Sequence, residues 1–167
     1  MRWRDVNLEQ GRLQVRGTLQ RTKESGLTVT EPKTKSSIRQ VILGQGATSA
    51  LRRRRAVQAQ ERLRSGNGWL DHDFVFTTEA GRPIEAGNLL RHSYWPLLDR
   101  AGLPRMRFHD LRHTAATLLL ERGVHPKIVS EMLGHSQISI TLDLYSHVSP
   151  TMQAQAAQEM DAALNLA

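Results

Sequence analysis

No cysteine occurs anywhere in the 167 residues. That absence excludes a disulfide framework, a Cys-ligated zinc site and thiol catalysis together. Aromatic residues make up only 5% of the chain, so a core has to be assembled mostly from Leu, Val, Ile and Ala. Long hydrophobic runs are missing too. The longest, Ala115 to Leu120, is about a third of the roughly 18 residues that a membrane span needs. Residues Met1 to Gln10 contain no apolar signal core. Lysine is scarce, four against nineteen arginines. The expectation is one soluble domain, long enough to bury a core without staples.

What is abundant is positive charge, and it is unevenly placed. The net charge is +7. Met1 to Leu70 holds fifteen Lys/Arg against five Asp/Glu, whereas Asp71 to Ala167 holds eight against eleven. All seven histidines lie in the second part. A basic half joined to a histidine-rich, near-neutral half suggests polyanion binding in one and chemistry in the other. The plainer alternative is a solvated basic surface.

Strand signals come first. Arg12 to Leu19, Leu27 to Thr30 and Ile38 to Leu43 alternate or are rich in β-branched residues. Turn-forming stretches separate them, which predicts a three-stranded antiparallel sheet. Helix signals follow at Ala47 to Ser65, with Thr48 or Ser49 as cap, and at Ala86 to Ala101, Phe108 to Arg122 and Pro126 to Leu133. The last three run into Gly102, Gly123 and Gly134, the residue type a left-handed helix end requires. Ser139 to Tyr145 is a short helical segment. Pro150 to Leu164 carries Met152, Ala156, Met160 and Leu164 spaced by four, one apolar stripe most simply explained as core packing. The predicted fold class is α+β, mostly α: a small N-terminal three-stranded antiparallel sheet followed by a helical bundle.

The densest chemical cluster is His109-Asp110-Leu111-Arg112-His113. On a helix, His109 and Arg112 share a face near the first turn. Free backbone N–H groups and the positive dipole end favour an anion there. A phosphate site and an ordinary capping and ion-pair cluster both fit. The zinc-helix pattern, with His109 and His113 as ligands and Asp110 as base, is set aside: Asp is a methylene too short and Arg112 would place a fixed charge beside the metal. A second constellation is Leu133-Gly134-His135-Ser136 with Thr141, Tyr145 and His147. Tyrosine is a poor nucleophile at its free pKa near 10 and needs cationic neighbours or a base. Pro32-Lys33-Thr34-Lys35 reads as a cationic loop between strands, or as a plain basic turn.

Together these pieces resemble the catalytic domain of the tyrosine recombinases, the phage-integrase type of site-specific DNA recombinase. Trp3-Arg4-Asp5-Val6-Asn7 is similar to the segment preceding that family's sheet. Lys33 to Ser37 with Arg39 resembles its lysine-bearing hairpin, His109 to Thr114 its His-x-x-Arg box, and Leu133 to Ser136 with Thr141, Tyr145 and His147 its histidine and nucleophile boxes.

The resemblance implies a role for each position. Tyr145 would attack the scissile phosphate to give a 3′-phosphotyrosyl link. Arg112 would hold the non-bridging oxygens, Lys33 would protonate the leaving 5′-oxygen with Lys35 as the fallback, His109 would assist proton transfer, and His135 would hydrogen-bond the phosphate. Lys35, Arg39, His113 and His147 would contact DNA. A covalent intermediate conserves the bond energy, so no metal, nucleotide or other cofactor is implied. Double-stranded DNA is the implied partner, no membrane is, and a tetramer could form through residues 150–164. The implied setting is the bacterial cytoplasm. The family also uses an earlier arginine in a Gly-x-Arg-x-x-Glu segment ahead of the Trp element, and a helical DNA-clamping domain before it. Neither occurs in these 167 residues. The expectation is therefore a partial catalytic domain with impaired recombination, the alternative being a non-catalytic DNA-binding remnant or regulator of a mobile element.

Overall fold

The computed structural model describes residues 1–22, 26–30, 38–146 and 151–164. The fold is α+β and mostly helical, with a small antiparallel sheet ahead of the helices. The chain divides into two compact units, Met1–Arg105 and Met106–Ala167.

The first unit opens with a short 3-10 turn at Trp3–Asp5, then β1 (Val6–Asn7) and β2 (Arg12–Val15). β3 (Thr18–Thr22) and β4 (Gly26–Thr30) follow, then β5 (Arg39–Ile42). The three-stranded sheet has the order β1-β2-β5, with Val6 opposite Leu13 and Leu13 opposite Val41. β3 and β4 form a separate antiparallel hairpin, Thr18 opposite Thr30. This corrects the membership expected from sequence. The segment Arg12 to Leu19 is two strands, and Leu27 to Thr30 belongs to the hairpin. The reason lies at Gly17, where a Cβ would come within 2.8 Å of Val29 Cγ1 and 3.0 Å of the Thr30 carbonyl oxygen. Only glycine admits so close an approach.

The helix α1 (Gln45–Ser65) starts earlier than its sequence signals suggest. Gly44 precedes it and no side chain caps it. Thr48, expected as a cap, instead lies one turn inside and donates its hydroxyl to the Gly44 carbonyl. The expected helix Ala86 to Ala101 is α2 (Ala86–Leu89) and α3 (Trp95–Arg100), joined by a π-helical turn at Leu90–Tyr94. Pro96 has no N–H to give to the i−4 carbonyl, which explains the widened turn just before it.

A buried polar network pins α1 to the start of the chain. The Trp3 indole N–H donates to Gln58 Oε1, and Gln58 Nε2 donates to the Phe74 carbonyl at 2.8 Å and to Thr77 Oγ1 at 3.0 Å. Beside it, Arg54 donates through Nε to the Val75 carbonyl and through both terminal nitrogens to Glu61. Val75 is fully buried, and Leu51, Tyr94 and Leu98 are nearly so. A Gln58→Leu substitution keeps the volume but leaves the Trp3 and Phe74 groups without their partner. It is expected to lower the unfolding free energy by about 1–3 kcal/mol, read from the midpoint of urea denaturation. An unchanged midpoint would remove the network from the account of stability.

The second unit is α4 (Asp110–Glu121), α5 (Pro126–Leu133), α6 (Ser139–Ser146) and α7 (Thr151–Ala163). Its core is Ala116, Leu120 and Val129, with Leu119, Val124 and Leu133 packed around them. The apolar stripe assigned to core packing departs from that assignment on α7 and just past its end. Met160 is 60% exposed and Leu164 59%. No helix among the described residues is long and apolar enough to cross a membrane.

Candidate active site

Arg112, Ala116 and Leu120 recur every four residues along α4, so they share one face. Ala116 and Leu120 are fully buried, while Arg112 sits half-buried at the N-terminal end of the same line. The stripe that builds the core thus carries a guanidinium to the edge of that core. Expectation and structure differ by a residue or two at the start of this helix: His109 is the residue before the first turn and its side chain makes no cap. Asp110, the first residue of the helix, instead reaches back to the chain before it. Its carboxylate accepts from the Arg107 amide at 3.0 Å and from the Arg107 guanidinium at 2.9 Å.

Hydrogen bonding from the Arg107 guanidinium is the main cause holding the Asp110 carboxyl below its ordinary range, aided by the Arg107 amide and the nearby positive charges. A depressed carboxylate pKa means the contact persists above the ordinary titration range and is lost only as pH falls through the lowered value. An NMR titration is expected to place the Asp110 midpoint below about 3.9, the ordinary aspartate value. Arg107→Ala should raise it most of the way back, since the amide bond at position 107 remains. Of the two readings left open for this pentapeptide, ion pairing describes Asp110.

His135 is placed by a different device. α5 ends in a Schellman turn: the Gly134 amide donates to the Glu131 carbonyl at 3.2 Å, and the His135 amide to the Ser130 carbonyl at 3.0 Å. Gly134 stands at φ 70° and ψ 50°, the left-handed region that glycine enters without a Cβ penalty. The turn projects His135 from the end of the helix. There Arg112 Nε donates to His135 Nε2 at 3.2 Å, and His135 Nδ1 lies 2.7 Å from Thr141 Oγ1. Thr141 is fully buried. A guanidinium, an imidazole and a hydroxyl from α4, the α5 turn and α6 therefore form one chain of contacts. Such a set can present N–H donors to an oxyanion.

Other expected residues are placed as follows. The rings of His109 and His113 stand edge to face, 5.1 Å between centroids. No group of three potential metal ligands forms among the described residues. Tyr145 lies on α6, one helical turn beyond Thr141. Arg39 is on β5 in the other unit, where partial burial lowers its pKa from the ordinary arginine value. Lys33, Lys35 and His147 lie outside the described residues. Sequence reasoning placed Thr141 in the motif but assigned it no role. No local signal marks it, because Ile140 and Leu142 on either side are the residues a hydrophobic pattern would bury, and both are exposed.

Comparison with known proteins bears on this arrangement. The sequence pattern of the phage integrase family matches residues 1–152. A tyrosine recombinase XerC-like protein of Caldanaerobacter subterraneus subsp. tengcongensis is 40% identical over 172 residues, spanning 96% of this chain and 44% of the relative. An integrase of Saccharopolyspora erythraea is 32% identical over 136 residues, 81% of this chain and 31% of its own. Among solved structures, the Tn1549 transposon integrase in complex with transposon right end DNA superposes with a TM-score of 0.73. It is 26% identical and covers 97% of this chain and 52% of that one. The chain thus spans about half the length, or less, of these relatives. With its residues 1–152 matched and its fold shared, the chain belongs to the phage integrase family, the tyrosine recombinases.

Proposed function

We propose that this chain cleaves and rejoins DNA strands at specific sites through a 3′-phosphotyrosyl intermediate. The observation that carries the reading is the pairing of Arg112 with His135 at 3.2 Å, each held by a separate feature of the fold. In this reading the Tyr145 oxygen bonds to phosphorus as the bond from phosphorus to the 5′-oxygen breaks. The phenolic proton leaves to a base, with His109 assisting. The 5′-oxygen takes a proton from Lys33, or from Lys35 if the register of the loop shifts. Arg112 and His135 hold the non-bridging oxygens where charge gathers, the electrostatic contribution that is usually largest. The bond energy stays in the phosphotyrosyl link, so rejoining needs only the reverse attack by a 5′-hydroxyl.

Double-stranded DNA is the substrate in this reading, supported by the Tn1549 integrase having been solved on transposon DNA and by the basic first part of the chain. Arg39, Lys35, His113 and His147 are its contacts. Assembly of copies on DNA would use residues 150–164, for which the exposed Met160 and Leu164 are the support.

The test is a pool of end-labelled, nicked duplexes of mixed sequence, in which a cleaved strand loses its short 5′-hydroxyl fragment and cannot religate. A labelled band that survives denaturation at the mass of protein plus DNA is the expected result. DNA binding without any such band would overturn the reading in favour of a non-catalytic DNA-binding protein.

A further inference from the structure

On α6, Thr141 is fully buried while Ile140 and Leu142 beside it are 39% and 44% exposed. Transfer of apolar surface would by itself bury those hydrocarbons rather than the hydroxyl between them, so the burial of Thr141 calls for a polar partner. Its hydroxyl faces His135 Nδ1 at 2.7 Å. On the other side of the ring, Arg112 Nε meets Nε2. An arginine Nε–H can only donate, so Nε2 is an acceptor and carries no proton. A neutral imidazole then keeps its proton on Nδ1, from which it donates to Thr141 Oγ1.

That tautomer cannot donate to a phosphate through Nε2. To do so while staying neutral, the ring must move its proton across, and Nδ1 must then find a donor. A hydroxyl serves both states, since it accepts and donates by rotating about one bond. We infer that Thr141 is a positioning residue of the active site: its buried hydroxyl holds His135 with the proton on Nδ1 while Arg112 occupies Nε2. When a phosphate engages Arg112, the hydroxyl turns to donate to Nδ1, so that the proton resides on Nε2 facing the phosphate. One proton leaves Nδ1 to solvent and one arrives from solvent at Nε2; the ring stays neutral and no other bond changes. This inference rests on the reading that His135 meets the scissile phosphate.

The experiment uses the full chain labelled at the imidazole nitrogens, with inorganic phosphate as the probe. Long-range proton–nitrogen correlation is expected to find His135 protonated on Nδ1 without phosphate and on Nε2 with it. Thr141→Ser, which keeps the hydroxyl, should preserve both states. Thr141→Val, which keeps the shape, should leave the proton on Nδ1 without phosphate, held there by Arg112, but fail to pass it to Nε2 when phosphate is added, and slow adduct formation by about tenfold or more. A threonine that merely fills space would leave the Val variant switching to Nε2 with phosphate as the wild type does, and that result overturns the inference. So does a wild-type ring whose tautomer ignores phosphate. Nitrogen shifts that behave as expected, with no adduct from any form of the chain, would uphold the assignment and sink the cleavage reading instead.

Discussion

Replacing Tyr145 with phenylalanine is expected to abolish the covalent adduct completely while leaving DNA affinity nearly unchanged. The loss is total because the proposed intermediate is a bond to the phenolic oxygen, and no graded contribution remains once that atom is gone. Affinity survives because one hydroxyl adds little to an interface governed by phosphate contacts and counterion release. The chain has a second tyrosine, Tyr94, buried in the first unit at 6% exposure. Tyr94→Phe should therefore retain the adduct, and the pair of variants identifies the linked residue without sequencing. An adduct that persists in Tyr145→Phe at the wild-type rate would remove Tyr145 from its role.

Replacing Arg112 with alanine should slow adduct formation by about 10³–10⁵, the range that a fixed arginine contributes at a phosphoryl-transfer centre. The group matters through its planar fork as well as its charge. Arg112→Lys, which keeps the charge and loses the bidentate geometry, should recover only part of the rate. The loss belongs in the single-turnover rate and not in the dissociation constant, because charge accumulates on the non-bridging oxygens only as the transition state forms. The alanine variant also removes the donor that His135 Nε2 accepts in the free protein, so the tautomer measurement made on it separates the two effects. A loss smaller than tenfold would mean that Arg112 is not the residue gripping the scissile phosphate.

Much of the fold was legible from local pattern. Gly102, Gly123 and Gly134 end helices where the sequence places them, because a left-handed residue is a backbone demand met within a single turn. The motif residues at positions 109–114 and 133–136 pointed to the family for a similar reason, being short segments whose spacing survives translation into helices. Partition of the strands was not legible. Gly17 stands between β2 and β3 because a side chain there would run into Val29 and Thr30, a clash that exists only after the hairpin has folded back. The stripe through Met160 and Leu164 carried a second limit. Periodicity reveals that one face is apolar without revealing what, if anything, covers it.

By itself, the sequence determined the family, the helix ends, and the residue types able to hold a phosphate and attack it, because each follows from chemistry within a few residues of chain. The tertiary structure alone decided that Arg112 and His135, 23 residues apart, meet at 3.2 Å. It also decided that Asp110 is spent on Arg107 and that a threonine between exposed apolar neighbours is the buried partner of the catalytic histidine candidate. The physical reason is common to all three. A hydrogen bond between distant elements depends on how α4, α5 and α6 pack against one another, and no local pattern encodes which polar atoms that packing brings face to face.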